Sequence, residues 1–180
     1  MNRIVYMVLR HLPIVPYWFW KIDHMGKRPD QYPEQERYDY LRNIIKTINQ
    51  NGRVTVRGYG EEQLPKENGF ILFPNHQGFF DMLAIIDTCP KPLGVIIKKE
   101  AANWILVKQV LRLLGGIPMD RSDIRAAMEV IKEMTRQVKE GKNYVIFPEG
   151  TRSRKGNELL EFKAGTFKSR MPHCSSGFNQ

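Results

Sequence analysis

Two cysteines, Cys89 and Cys174, occur in 180 residues. That is too few for a disulfide framework and fits a reducing compartment. Neither has neighbours at metal-ligand spacing, so no metal site is expected. No apolar run reaches the ~20 uninterrupted residues that a membrane-crossing helix needs. The most apolar stretch, "RIVYMVLRHLPIVPYWFWK", is interrupted by Arg10 and His11, and Pro13 and Pro16 are expected to break any helix within it. It has no small-residue cleavage site, so a cleaved signal peptide is not expected. Internal repeats and low-complexity tracts are also missing, which leaves out solenoids and arrays.

What the chain does have is enough apolar content, 42%, and enough length for one domain with a core. Its formal net charge of +9 calls for an anionic partner. Charge alone leaves nucleic acid, anionic lipid headgroups and phosphorylated small molecules open. Tyr17, Trp18, Phe19 and Trp20 beside Arg3, Arg10 and Lys21 suit a segment lying on a bilayer surface. The same segment also suits a helix docked on the domain's own core. The aromatics cluster there and in apolar runs rather than among surface basic residues, which argues against nucleic acid.

Periodicity then organises the rest. Residues 26–33 are polar with two prolines and read as a linker. A helix is expected from Glu34 to Asn49, with Tyr40, Leu41, Ile44, Ile45 and Ile48 as its apolar stripe. "RVTVRGYG" alternates as a strand, "FILF" and "LGVIIKK" read as buried strands, and "FDMLAIID" as a helix. A continuous helix is expected over "EAANWILVKQVLRLLGG", followed by a short strand in "GGIPMDR". Ser122 is expected to cap a helix bearing Ile124, Met128, Ile131, Met134 and Val138, ended by Gly141. "NYVIF" is the last apolar strand. Alternating strands and helices predict an α/β sandwich of two or three layers with a largely parallel sheet. Sites in such sheets form beyond the carboxyl ends of the strands, where "PNHQG" and "PEGTRSRKG" both fall.

Five residues separate His76 from Asp81. In one continuous helix the two would point about 140° apart. They can meet if His76 lies in a loop and Asp81 in the first turn of the next helix, where an acid also suits the helix dipole. Asp81 would then orient the imidazole as a general base. A helix-capping Asp81 beside a solvated His76 is the other reading of the pair. Glu149, Gly150, Thr151 and Arg152 follow the last strand, with Arg154 and Lys155 close by. Glycine lets amides approach an anion and arginine grips phosphate with two prongs, although an ordinary basic loop has the same composition. Arg121 could add a second phosphate contact, and Lys98 and Lys99 could add to the same field.

Together, "NHQGFFD", "GGIPMDR" and "FPEGTRS", in that order, resemble the first three motif blocks of the glycerolipid acyltransferases, above all those that acylate 1-acyl-glycerol-3-phosphate to phosphatidic acid. "FKAGTFK" at 162–168 is similar to the family as well. The resemblance implies catalytic roles for His76 and Asp81. It implies roles in serving the phosphorylated acceptor for Arg121, Glu149, Gly150, Thr151 and Arg152. Backbone amides near Gly78, at the helix start, are expected to steady a tetrahedral oxyanion. The resemblance further implies an acyl-CoA or acyl-carrier-protein co-substrate with no cofactor, a lysophospholipid partner, and a peripheral place on the cytoplasmic membrane face. Another lysolipid or glycerol-3-phosphate as acceptor stays open, as does an inactive membrane-binding fragment. The expected organisation is an interfacial segment at 1–25, a linker and helix at 26–52, an acyltransferase domain at 53–170 and a polar tail at 171–180. The family pattern continues after "FKAGTFK" into a further strand, whereas this chain runs "SRMPHCSSGFNQ", so an incomplete domain is expected.

Overall fold

The computed structural model describes residues 11–76, 78 and 80–148. Expectations for residues 1–10, the loop from Glu149 onward, "FKAGTFK" and the polar tail lie outside the described residues. The first helix, α1, spans Val15–Gly26, with Pro16 in its first turn. A proline there gives up only an amide that has no intrahelical partner, so Pro16 opens the helix instead of breaking it. α2, Glu34–Asn51, carries Glu34 and Glu36 in its first turn, as the helix dipole favours. It buries Tyr38, Leu41, Ile44 and Ile45, while Tyr40 and Ile48 pack at the margin.

Four strands follow among the described residues: β1 (Ile71–Leu72), β2 (Gly94–Lys98), β3 (Ile117–Met119) and β4 (Tyr144–Val145). They form one parallel sheet in the order β1–β4–β2–β3. The β1–β4 ladder runs on beyond the strand ends, because the Ile146 amide donates to the Leu72 carbonyl at 3.0 Å. Consecutive strand residues face opposite sides. Leu72, Val95 and Val145 accordingly join a core with α1, α2, α3 (Phe80–Thr88) and α4 (Val107–Leu113). Ile71, Ile96, Tyr144 and Ile146 join a second core with Met134 and Val138 of α5, Ile124–Lys139. The architecture is therefore three layers, α/β/α, and strands covered on both faces read as continuous apolar runs.

At the amino ends of the strands, the Asn143 side chain accepts the Gly69 amide at 2.8 Å and donates to the Pro92 carbonyl at 2.9 Å. That one buried side chain ties the entries of β1 and β2 to β4.

Three local expectations differ. Residues 53–60 form no strand; Val54 and Val56 are half-buried and alternate with exposed Thr55 and Arg57, but join no ladder among the described residues. The helix expected over 100–116 is broken into a short 3₁₀ turn, Ala101–Asn103, and α4, with Leu106 at φ +72° between them. Ser122 does not cap α5. Asp123 does, its carboxylate accepting the amides of Arg125 and Ala126, because the Ser122 hydroxyl is donated to Asp120 at 2.6 Å. No helix among the described residues is long and apolar enough to cross a membrane.

Candidate functional site

Because all four strands run the same way, the loops leaving β1, β2, β3 and β4 open on one edge of the sheet. From β1 the chain passes through Phe73, Pro74 and Asn75 to His76, and α3 starts at Phe80 with Asp81 in its first turn. The imidazole Nδ1 of His76 lies 3.1 Å from Oδ2 of Asp81. The Gly78 amide donates to the same oxygen at 2.9 Å. Asp81 thus spans the two readings its spacing allowed: it closes the helix start through Gly78 and also holds the histidine.

That contact has a cost for the expected oxyanion site. The Gly78 amide is committed to Asp81, so it is not the donor for a developing oxyanion. The His76 ring is also held on its face, with the Phe147 ring centroid 4.2 Å away at an interplanar angle of 35°. His76 and Asp81 are each about a quarter exposed, at 23% and 24% of their side-chain surface. A contact between them is therefore shielded from bulk water yet open to a ligand.

Phe147 ends "NYVIF" and opens "FPEGTRS", but neither pattern gave it a role beside the histidine. The strand period was the available signal. Val145 and Phe147 share a face, and both pack into the core beneath α1–α4. β4 is hydrogen-bonded directly to β1, which brings Phe147 beside the β1 loop.

The basic residues are placed less tightly. Lys98 ends β2 opposite Met119, the last residue of β3, and Lys99 and Asp120 are the residues that follow them. Lys98 pairs with Glu100 at 3.2 Å and Lys99 with Asp120 at 3.4 Å. Exposed pairs of this kind contribute little energy, but they cancel much of the local positive field. The Ser122 hydroxyl, then its amide and Lys99, hold the Asp120 carboxyl down at about 2. Arg121 is half-buried just beyond β3; burial lowers its pKa and Glu100 opposes that shift, and a guanidinium stays charged regardless. β1 and β3 are the outermost of the described strands, three intervals of ~4.8 Å or about 14 Å apart. His76 and Arg121 therefore follow strands at opposite edges of the described sheet. Glu149, Gly150, Thr151 and Arg152 lie outside the described residues. Among the described residues, no cluster of three or more histidine, cysteine or acidic side chains is arranged to hold a metal ion.

A family model described as Acyltransferase matches residues 53–173. The chain is 34% identical over 109 residues to the 1-acyl-sn-glycerol-3-phosphate acyltransferase of Borreliella burgdorferi, covering 61% of this chain and 43% of that protein. It is 42% identical over 92 residues to the enzyme of the same name from Cocos nucifera, covering 51% of this chain and 30% of the relative. The crystal structure of the 1-acyl-sn-glycerophosphate acyltransferase PlsC from Thermotoga maritima superposes with a TM-score of 0.67 at 25% identity. That superposition covers 94% of this chain and 70% of that one. The alignments thus span less than half the length of these two sequence relatives.

Proposed function

The chain belongs to the acyltransferase family, and we propose that it transfers a fatty acyl group from a thioester to the free hydroxyl of 1-acyl-glycerol-3-phosphate, giving phosphatidic acid. The donor is acyl-CoA or an acyl-carrier protein. The observation that carries this reading is the His76 Nδ1–Asp81 contact at 3.1 Å at the carboxyl edge of the sheet.

A carboxylate only accepts, so the contact favours the tautomer with its proton on Nδ1. Nε2 is then the nitrogen that takes the proton from the acceptor hydroxyl as its oxygen attacks the thioester carbonyl. The resulting imidazolium is stabilised by Asp81. As the tetrahedral adduct collapses, the carbon–sulfur bond breaks and Nε2 returns the proton to the departing thiolate. Hydroxyl, thioester and His76 account for every bond and proton, so the proposal includes neither metal nor cofactor. Arg121 and Arg152, with Gly150 and Thr151, would hold the acceptor phosphate and so fix its hydroxyl against the base, with Glu149 serving the acceptor from the same loop. Lys98 and Lys99 would add a weaker field, given their carboxylate partners.

The acceptor is a membrane lipid and the thioester is water-soluble, which favours a peripheral position on the cytoplasmic membrane face. Tyr17 and Trp20 of α1 are exposed, as residues of an interfacial helix would be. The test is a radiolabelled acyl-transfer assay with lysophosphatidate and each donor in turn. Label should appear in phosphatidic acid with the intact protein and not with His76→Ala. Equal activity of the two proteins would overturn the mechanism.

A further inference from the structure

Three consecutive large apolar residues stand out from the surface: Trp104, Ile105 and Leu106, with 52%, 84% and 49% of their surface exposed. Single exposed apolar residues are ordinary, but a contiguous run of three on one turn is not. We propose that this turn is a membrane-inserting tip that docks the protein on an anionic lipid surface.

The tip is built, not frayed. The Trp104 amide donates to Ala101 at 3.1 Å, Lys108 donates back to Trp104 at 3.0 Å, and buried Ala102 anchors the preceding 3₁₀ turn. Leu106 sits at φ +72°, a region a branched side chain enters only under strain. Its amide is held there by the Gln109 side chain at 2.9 Å. Strain of this kind persists where the surrounding structure enforces it, and it points to use. Here its effect is to turn three apolar side chains outward from a segment whose sequence suits a buried helix.

Two observations favour a lipid surface over a protein partner. The first is charge: α4 starts directly after Leu106, has no acidic residue in its first turn and exposes Lys108 there, on a chain of net charge +9. Tryptophan with flanking lysine suits the headgroup boundary, where the ring sits at the interface and the ammonium reaches phosphate. The second is placement. α4 packs against α1, where Asp23 pairs with Arg112 at 3.1 Å and Gly26 lets the backbones approach. α1 and the residues before it expose Leu12, Ile14, Val15, Tyr17 and Trp20. One helix pair therefore carries both exposed apolar runs, and the tip belongs to a loop that leaves β2 at the edge holding His76. The inference deepens the lipid-acceptor reading and rests on it only for its consequence in turnover; binding itself is measured separately.

The test is co-flotation of the whole chain with phosphatidylcholine vesicles, with and without phosphatidylglycerol, for the parent, Ile105→Glu and Leu106→Gly. The parent should bind the mixed vesicles better than the neutral ones. Ile105→Glu, at the most exposed of the three positions, should weaken partitioning by about tenfold or more. Leu106→Gly should also bind less while melting no lower than the parent, because glycine relieves the positive φ. That excludes unfolding as the cause. Acylation of a short-chain, water-soluble acceptor should be unchanged in both variants, and acylation of vesicle-borne acceptor reduced. Vesicle binding equal to the parent's in both variants would overturn the proposal. So would loss of self-association in Ile105→Glu with binding intact, since a second copy would then cover the tip. If the parent acylates neither acceptor, the catalytic reading fails while the flotation result still decides the tip.

Discussion

Oδ2 of Asp81 stands 3.1 Å from Nδ1 of His76 and 2.9 Å from the Gly78 amide, so one oxygen fixes both the imidazole and the backbone that carries it. His76→Ala should lower kcat by about 10³-fold, within the range for a positioned general base. Asp81→Asn should cost about 10²- to 10⁴-fold, because the amide no longer favours the tautomer with Nε2 unprotonated. The two substitutions should be far from additive in the double variant, since each disables the same unit. Steady-state kinetics on all three proteins checks this, and independent, multiplying losses would mean that Asp81 serves only the helix start.

The Phe147 ring packs against the same imidazole, at 4.2 Å between centroids. Aromatic pairs of this sort contribute about 0.5–1.5 kcal/mol beyond area burial. Phe147→Leu keeps apolar bulk in the core but removes the flat face. Its kcat should fall roughly two- to tenfold with KM nearly unchanged, and Phe147→Tyr should restore it. A fall in melting temperature with kcat intact would show Phe147 to be a core residue only.

The meeting of His76 and Asp81 was one of two readings that an apolar strand, a proline and an acidic helix start leave for "FPNHQGFFD". The parallel sheet was legible because short apolar runs alternate with helical periods. What stayed hidden was decided by tertiary partners. Residues 53–60 alternate as strands do, yet Val54 and Val56 are half-buried without entering a ladder among the described residues. The helix expected over 100–116 has the right composition, but Leu106 turns it outward. Ser122 and Asp123 are both good caps, and the choice fell to Asp123 once Asp120 claimed the serine hydroxyl. The spacing that brought His76 and Asp81 together could not show that Gly78 would be spent on the same carboxylate.

The cap itself can be measured. Asp123→Ala should destabilise the fold by about 1 kcal/mol, the usual value for a lost N-cap. Ser122→Ala should cost less, because Asp120 keeps the Ser122 amide at 3.0 Å. Denaturant midpoints compared at constant m-value read both changes. A larger loss for Ser122→Ala would reverse the assignment.

Asp120 provides a pH test. Its carboxyl is held from an ordinary 3.8 down to about 2 by Ser122 and Lys99. A depressed carboxylate stabilises the fold above its unfolded value and loses that contribution as pH falls through the folded one. The gap in melting temperature between parent and Asp120→Asn should therefore be widest above 3.8 and close as pH falls toward about 2. Measuring it as a difference cancels titrations common to both proteins. A gap that stays constant with pH would show that the carboxylate's charge does not matter there.

The entry of the sheet should be as sensitive as its exit. Asn143 is buried and accepts the Gly69 amide while donating to the Pro92 carbonyl and to Asn68. Removing it leaves buried donors and acceptors unpaired, at about 1–3 kcal/mol for each unsatisfied group. Asn143→Asp should be harmful too, because a carboxylate still accepts from Gly69 but cannot donate to Pro92. The neighbouring Gly94 leaves equally little slack, since a Cβ there would meet the Tyr144 ring at 2.6 Å. Asn143→Ala and Gly94→Ala should therefore both lower stability. Both should also weaken acyl transfer, since the chain runs from Asn143 through β4 directly to Phe147 beside His76. A variant that melts early yet turns over normally below its transition would uncouple the sheet's entry from the site.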